Sequence, residues 1–260
     1  MRFEELTDPA DPRLDDFRAL ADADVRPDRR GVVIAEGVNV VERLATSPYE
    51  LRAVFGVPAR IAALAPVLAD LDVAVYSADK WLLSEVVGFR VTRGVLASAQ
   101  RPAPREPAEV LLGARRIAVL EGLNDFENLG VLFRNAAAFG IDAVLLDATC
   151  ADPLYRRSVR VSMGHVLRVP FAVVPCRWPA ALELLRHHDV TTFALTPGGD
   201  QVLGSITPPQ RWAVLLGAEG HGLRDATLDW ADHRVRIPMA DGVDSLNVAT
   251  AAAVAFARFC

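Results

Sequence analysis

The 260-residue sequence holds only three cysteines, Cys150, Cys176 and Cys260, and none stands in a Cys-x-x-Cys pair or beside paired histidines. Such spacing offers neither a disulfide framework nor a zinc site, so incidental thiols and no metal are expected. Apolar runs approaching the roughly 18 residues of a membrane span are also missing, and Met1-Arg2-Phe3-Glu4-Glu5 lacks the apolar segment of a secretory signal. No membrane partner is expected, and a cytoplasmic location is. Positive charge is not in excess: 28 Lys and Arg stand against 33 Asp and Glu, a formal net charge of −5. That excludes a protein that coats nucleic acid through bulk charge. Hydrophobic residues, by contrast, make up 52% of the chain, ample for buried cores, and the length suits two domains.

Charge is unevenly spread. Arg156, Arg157, Arg160 and Arg168 crowd one segment, and Arg90, Arg93, Arg101 and Arg105 another, with few acidic residues between them. These clusters are either solvated surface or phosphate contacts. Between residues 100 and 112, Pro102, Pro104 and Pro107 mark a linker. Before it, apolar patterning suggests strands at 31–34, 51–57, 73–76 and 95–99 and helices at 38–44, 61–71 and 78–87, a small α/β domain over 1–99. Beyond it, apolar runs recur at 117–120, 143–146, 172–174, 191–195, 213–216 and 235–237, with helical stretches at 129–139, 179–187 and 223–230. That alternation over 113–260 implies a largely parallel, helix-covered sheet.

Ligands of such sheets bind in loops beyond the strands' carboxyl ends, and three of those loops carry chemistry. The first runs from Asn124 to Gly130 into a short helix; Asn128 can cap that helix and Gly140 can end it, but Arg134 is left over as either a snorkelling surface residue or a cation aimed at a ligand. The second, Gly217-Ala218-Glu219-Gly220-His221-Gly222, places three glycines between strand and helix. It does not have the dinucleotide fingerprint spacing, and by itself it is either a tight turn or a close backbone approach to a ligand. The third joins Ile237-Pro238-Met239 to Ser245-Leu246-Asn247-Val248-Ala249 and an Ala-rich helix reaching Cys260. Asp244 or Ser245 can cap that helix; Asn247 then lies inside the first turn without a structural reason.

Together the three blocks resemble the motifs of the SpoU (TrmH-like) ribose 2′-O-methyltransferases of the SPOUT superfamily. Asn128, Gly130, Arg134 and Gly140 match the first motif, Leu216-Gly217-x-Glu219-Gly220-x-Gly222-Leu223 the second, and Ile237-Pro238-Met239 with Ser245-Leu246-Asn247-Val248-Ala249 the third. Upstream, Ala35-Glu36-Gly37 and Arg93-Gly94-Val95-Leu96-Ala97 look like the small L7Ae-like RNA-binding domain of many members; the first 25 or so residues have no counterpart. Phe126 stands where the family often has proline, and Arg93 where glutamine is usual.

The resemblance implies an α/β, trefoil-knotted catalytic domain with a parallel sheet, where ordinary topology rules favour an unknotted one. It further implies a homodimer that binds S-adenosylmethionine and acts on rRNA or tRNA. Arg134, Asn128, Ser245, Asn247 and Glu219 become the catalytic set. Leu195, Thr196, Pro197, Leu216, Gly217, Ala218, Glu219, Gly220, Ile237, Met239, Ser245, Leu246, Asn247 and Ala249 become the cofactor wall. Arg93, Arg157, Arg160 and Arg168 become RNA contacts. Two readings compete with a methyltransferase: a catalytically idle RNA-binding or ribosome-assembly factor, against which the intact motif residues stand, and a nucleotide-dependent oxidoreductase, which lacks its fingerprint.

Overall fold

A computed structural model describes residues 2–21, 31–175 and 177–260. Cys176 and residues 22–25 of the unmatched N-terminal stretch lie outside the described residues. The chain divides into two compact units: Met1–Ala103 with Pro153–Arg168, and Pro104–Asp152 with Val169–Cys260.

In the first unit, strands β1 (Arg2–Glu5), β2 (Val32–Glu36), β3 (Leu51–Gly56), β4 (Ala74–Ser77) and β5 (Val95–Gln100) form one sheet in the order β1-β4-β3-β5-β2. β5 runs antiparallel to both β2 and β3, and the other pairs are parallel. Helices α1 (Val38–Ala45), α2 (Pro58–Leu68) and α3 (Lys80–Val87) connect them. α1 buries Val40, Val41 and Leu44, an i, i+1, i+4 stripe that turns one helical face to the core. α3 starts where the Asp79 carboxylate accepts from the Leu82 N–H and stops at left-handed Gly88, a conformation that costs glycine nothing. Edge strand β1 went unread in the sequence because its four residues, Arg-Phe-Glu-Glu, carry almost no apolar signal.

The second unit begins with α4 (Pro107–Leu111), inside the Pro-rich stretch. Its proline sits at N1, where a missing N–H is harmless, and Val110 and Leu111 are buried. Next come β6 (Arg116–Glu121), α5 (Phe126–Ala138) and β7 (Ala143–Asp147). The chain then returns to the first unit as α6 (Arg156–Val161), before continuing through β8 (Phe171–Val174), α7 (Glu183–His187), β9 (Thr191–Leu195), β10 (Gln201–Val202), β11 (Trp212–Gly217), α8 (Asp225–Trp230), β12 (His233–Arg236) and α9 (Val248–Phe259). Seven strands pair in the order β10-β12-β9-β11-β6-β7-β8, every pair parallel. Central strands β6, β7 and β11 are buried nearly end to end, as unbroken apolar runs covered on both faces should be. All the carboxyl ends therefore lie along one edge, where the loops after β6, β9, β11 and β12 meet.

Pro153–Arg168 packs with the first unit through charge as well as apolar contact. Arg156 Nη1 donates to Glu36 Oε2 at 2.9 Å, Arg160 stands 3.6 Å from the same oxygen, and the Arg156 guanidinium lies over the Phe89 ring. Arg43 donates to the Met163 carbonyl, and Arg168 to Thr46 Oγ1 at 2.7 Å. Burial pulls the Arg156 guanidinium below its ordinary range, and Glu36 opposes that pull.

Candidate active site

The loop after β11 doubles back on itself. Gly222 N–H donates to the Ala218 carbonyl at 2.9 Å, and a Cβ at Gly217 would lie 2.1 Å from the Gly222 carbonyl carbon, so only glycine fits that position. The hairpin borders a cavity of about 690 Å³ lined by Leu195, Thr196 and Pro197 at the end of β9, Leu216 to Leu223 at the end of β11 and in the loop beyond it, Ile237 and Met239 after β12, and Asp244 to Val248 at the start of α9. Asp225, Leu228 and Ala251 complete the wall. Its size and mix of apolar side chains with exposed backbone suit a small organic ligand.

Asn247 is the N-cap of α9, which removes Asp244 and Ser245 as capping residues. Its Oδ1 accepts from Ala249 N–H at 3.0 Å and Thr250 N–H at 3.2 Å. Its Nδ2 donates to Asn128 Oδ1 at 2.7 Å and to Glu219 Oε1 at 2.6 Å. All four hydrogen-bonding positions of the amide are thus used, two for the helix and two for the site. Capping and site membership are one role, and only an amide of this length performs both.

The first helix also starts differently from its sequence reading. Asp125 is its N-cap, accepting from Glu127 and Asn128 N–H groups, which leaves the Asn128 side chain free to face Asn247. Left-handed Gly140 ends it as expected, with Gly140 N–H returning to Ala137 and Ile141 N–H to Ala136. Asn135 Nδ2 donates to the Ala249 carbonyl at 2.8 Å and ties α5 to the first turn of α9.

Of the residues named from the sequence, those assigned to the cofactor wall line the cavity with one exception. Ala249 does not: it is 2% exposed, its N–H and carbonyl serving Asn247 and Asn135. Asn128 joins the wall through Asn247. Arg134 is exposed on α5, outside the lining, and makes no hydrogen bond or ion pair among the described residues. Arg93, Arg157, Arg160 and Arg168 all belong to the first unit, with Arg93, Arg157 and Arg168 exposed and Arg160 partly buried.

Several polar residues escaped the sequence reading. Glu121, 3% exposed at the end of β6, accepts from Arg224 N at 2.9 Å and Nε at 2.6 Å through Oε1, and from Trp178 Nε1 at 2.7 Å and Thr227 Oγ1 at 2.5 Å through Oε2. Asp147, at the end of neighbouring β7, accepts from Gly122 N–H, Thr149 N–H and hydroxyl, and Arg224 Nη2. Burial pushes the Asp147 carboxyl up, but the donors from Gly122 and Thr149 outweigh it and hold the group below its usual range. Burial, then the neighbouring Asp147 charge, pushes the Cys150 thiol up to about 12, so it is no nucleophile at neutral pH. Among the described residues no cluster of His, Cys, Asp and Glu is placed to hold a metal ion.

A parallel sheet whose carboxyl-end loops wall a cavity defines the second unit as a ligand-binding α/β domain of the kind enzymes use. Residues 115–257 match the SpoU rRNA Methylase family, and the chain belongs to that family. It is 49% identical, across 97% of its length and 90% of the other protein, to an uncharacterized tRNA/rRNA methyltransferase of Mycobacterium bovis. With the 23S rRNA (guanosine-2′-O-)-methyltransferase RlmB of Yersinia pestis it shares 30% identity over 74% of this chain and 80% of that one. The fold resembles the SpoU methyltransferase AviRb from Streptomyces viridochromogenes, solved in complex with AdoMet, at a TM-score of 0.81 and 21% identity over 95% of this chain and 96% of that one. The chain is therefore an RNA methyltransferase of the SpoU family.

Proposed function

We propose that this protein transfers the methyl group of S-adenosylmethionine to a ribose 2′-hydroxyl of ribosomal or transfer RNA, working as a cytoplasmic homodimer. The carrying observation is the cavity itself, where the Asn128–Asn247–Glu219 chain of hydrogen bonds stands on a wall built from three strand-end loops. Leu195, Leu216, Ile237, Met239 and Leu246 suit the adenine and exclude water, while the backbone of 217–220 supplies donors and acceptors. S-adenosylmethionine supplies an electrophilic methyl group.

For the chain's own residues the work is alignment and charge. Asn128, Ser245 and Asn247 orient the ribose and the methionine end, and position dominates such a displacement. The Arg134 guanidinium offers donors and no acceptor, and those donors suit the oxygen on which negative charge grows and the adjacent phosphate. Because Arg134 stands outside its own chain's cavity, the reading has it serve the site of a second subunit. The family likeness adds a trefoil-knotted catalytic region over 113–260, a linker at 100–112, and an L7Ae-like RNA-binding domain over 1–99 whose surface, with Arg93, Arg157, Arg160 and Arg168, meets RNA phosphates.

Mapping 2′-O-methyl groups in total RNA with and without the gene tests the reaction; an unchanged map overturns it. Calorimetric titration with S-adenosylmethionine and with NAD separates the methyltransferase from an oxidoreductase. An idle RNA-binding factor would bind RNA and leave every ribose unmethylated.

A further inference from the structure

The sequence motifs account for the cavity's wall but not for Glu121, Arg224 and Asp147, which lie behind it. In the sheet register Glu121 pairs with Gly217, the residue at which the hairpin loop leaves β11. The carboxylate of the same Glu121 accepts the backbone N–H of Arg224, the residue at which that loop enters α8. One residue of β6 therefore holds both ends of the segment that carries Ala218, Glu219 and Gly220 into the cavity. Arg224 extends the hold sideways: its Nε closes on Glu121 at 2.6 Å and its Nη2 on Asp147 of β7 at 2.9 Å. Trp178 and Thr227 occupy the other Glu121 oxygen, so four donors converge on the carboxylate and leave it no role as a base.

We propose that Glu121 and Arg224 form a clasp that fixes the ends of the 217–223 loop and thereby pre-organises the cofactor wall, making both of them positioning residues for methyl transfer. Three features favour a positioning role over general stability. Two of the four hydrogen bonds on the carboxylate go to Arg224 at the far end of the loop, while the Gly217 end is held beside the same residue in the β6–β11 ladder. The Arg224 side chain is 53% exposed, so a core-building purpose does not explain it. Between its ends the loop is tied by the Gly222 N–H bond to the Ala218 carbonyl and by the Asn247 bond to Glu219, and Gly220, His221 and Gly222 are exposed, so the ends carry much of its anchoring. Pre-organisation of a loop raises affinity by removing the cost of ordering it on binding.

The inference rests on the cavity's being the S-adenosylmethionine site, and the test separates the two. Glu121→Gln keeps the shape but cannot accept all four donors, and Arg224→Gln, at a half-exposed position, keeps the protein folded if the first variant does not. The readouts are amide hydrogen exchange of residues 218–222, S-adenosylmethionine affinity by calorimetry, and melting temperature. Exchange at 218–222 should rise at least tenfold in either variant, with β7 and β9 amides still protected, and the dissociation constant should rise by about tenfold. The double variant should bind no worse than the weaker single one, since the two residues act as one unit. Wild-type protein that does not bind S-adenosylmethionine overturns the functional reading. A wild type that binds, with variants that bind equally tightly and leave loop exchange unchanged, overturns the clasp, whatever happens to melting temperature.

Discussion

Each unit buries a glutamate at the carboxyl end of a strand, 3% exposed in both cases, and meets it with arginine from more than 100 residues away. Glu36 ends β2 and takes Arg156 and Arg160 from α6, so its charge docks a helix. Glu121 ends β6 and takes Arg224 from a loop terminus, so its charge shapes the mouth of a cavity. Burying a carboxylate demands donors in either setting. What differs is where those donors sit in the chain, and that decides whether the pair serves the architecture or the site.

Arg134 tests the functional side of the contrast most severely. Arg134→Lys keeps the charge and loses the fork; turnover in a methyl-transfer assay should fall by about 10²-fold, with an unchanged melting temperature because the side chain is exposed. Near-wild-type turnover would remove Arg134 from the chemistry. The architectural side is broken by Glu36→Ala, which strands the nearly buried Arg156 without its partner. The expected cost is about 3 kcal/mol in urea titration, with S-adenosylmethionine affinity of the folded protein unchanged.

Asn247→Asp sharpens the contrast within one residue. Aspartate still caps α9, so stability should hold within about 1 kcal/mol, but both donors vanish and a negative charge faces the Glu219 carboxylate. Methylation should therefore drop about tenfold or more in a protein that melts normally; equal losses of stability and activity would return Asn247 to a purely structural role. Smaller still, Arg157→Ala should flatten the salt dependence of RNA binding by slightly under one logarithmic unit. Finally, Asp147 is held below the ordinary carboxylate range, so its stabilisation is complete above the unfolded value of about 3.9 and fades as pH falls through the lowered folded one. Asp147→Asn should remove that segment of the acid unfolding curve.

The sequence made the sheet legible because parallel strands covered on both faces must be continuous apolar runs, as 117–120 and 213–216 are. The cavity wall was legible through glycine, since Gly217 tolerates no side chain. The caps were not, because Asp244, Ser245 and Asn247 are all good N-cap residues within four positions, and only the partners of the Asn247 amide distinguish them. Glu121, Asp147, Trp178 and Arg224 were invisible for another reason. Each is a single polar residue without periodicity, and its meaning comes from partners up to 106 positions distant. The excursion of α6 into the first unit was hidden likewise, since local patterning marks an amphipathic turn but not the carboxylate that receives it.

That excursion carries a consequence for synthesis. A ribosome finishes β5 of the first unit long before it makes Arg156, and in between it must release α4, β6, α5 and β7 of the second. During that interval Glu36 waits for its cation while the first two strands of another sheet emerge. Domain-by-domain folding behind the ribosome is the ordinary route for chains of this size, but here neither unit can be completed before the other has begun. A fragment ending at residue 103 therefore lacks both arginines that meet Glu36, and the two units are bound to a shared timetable.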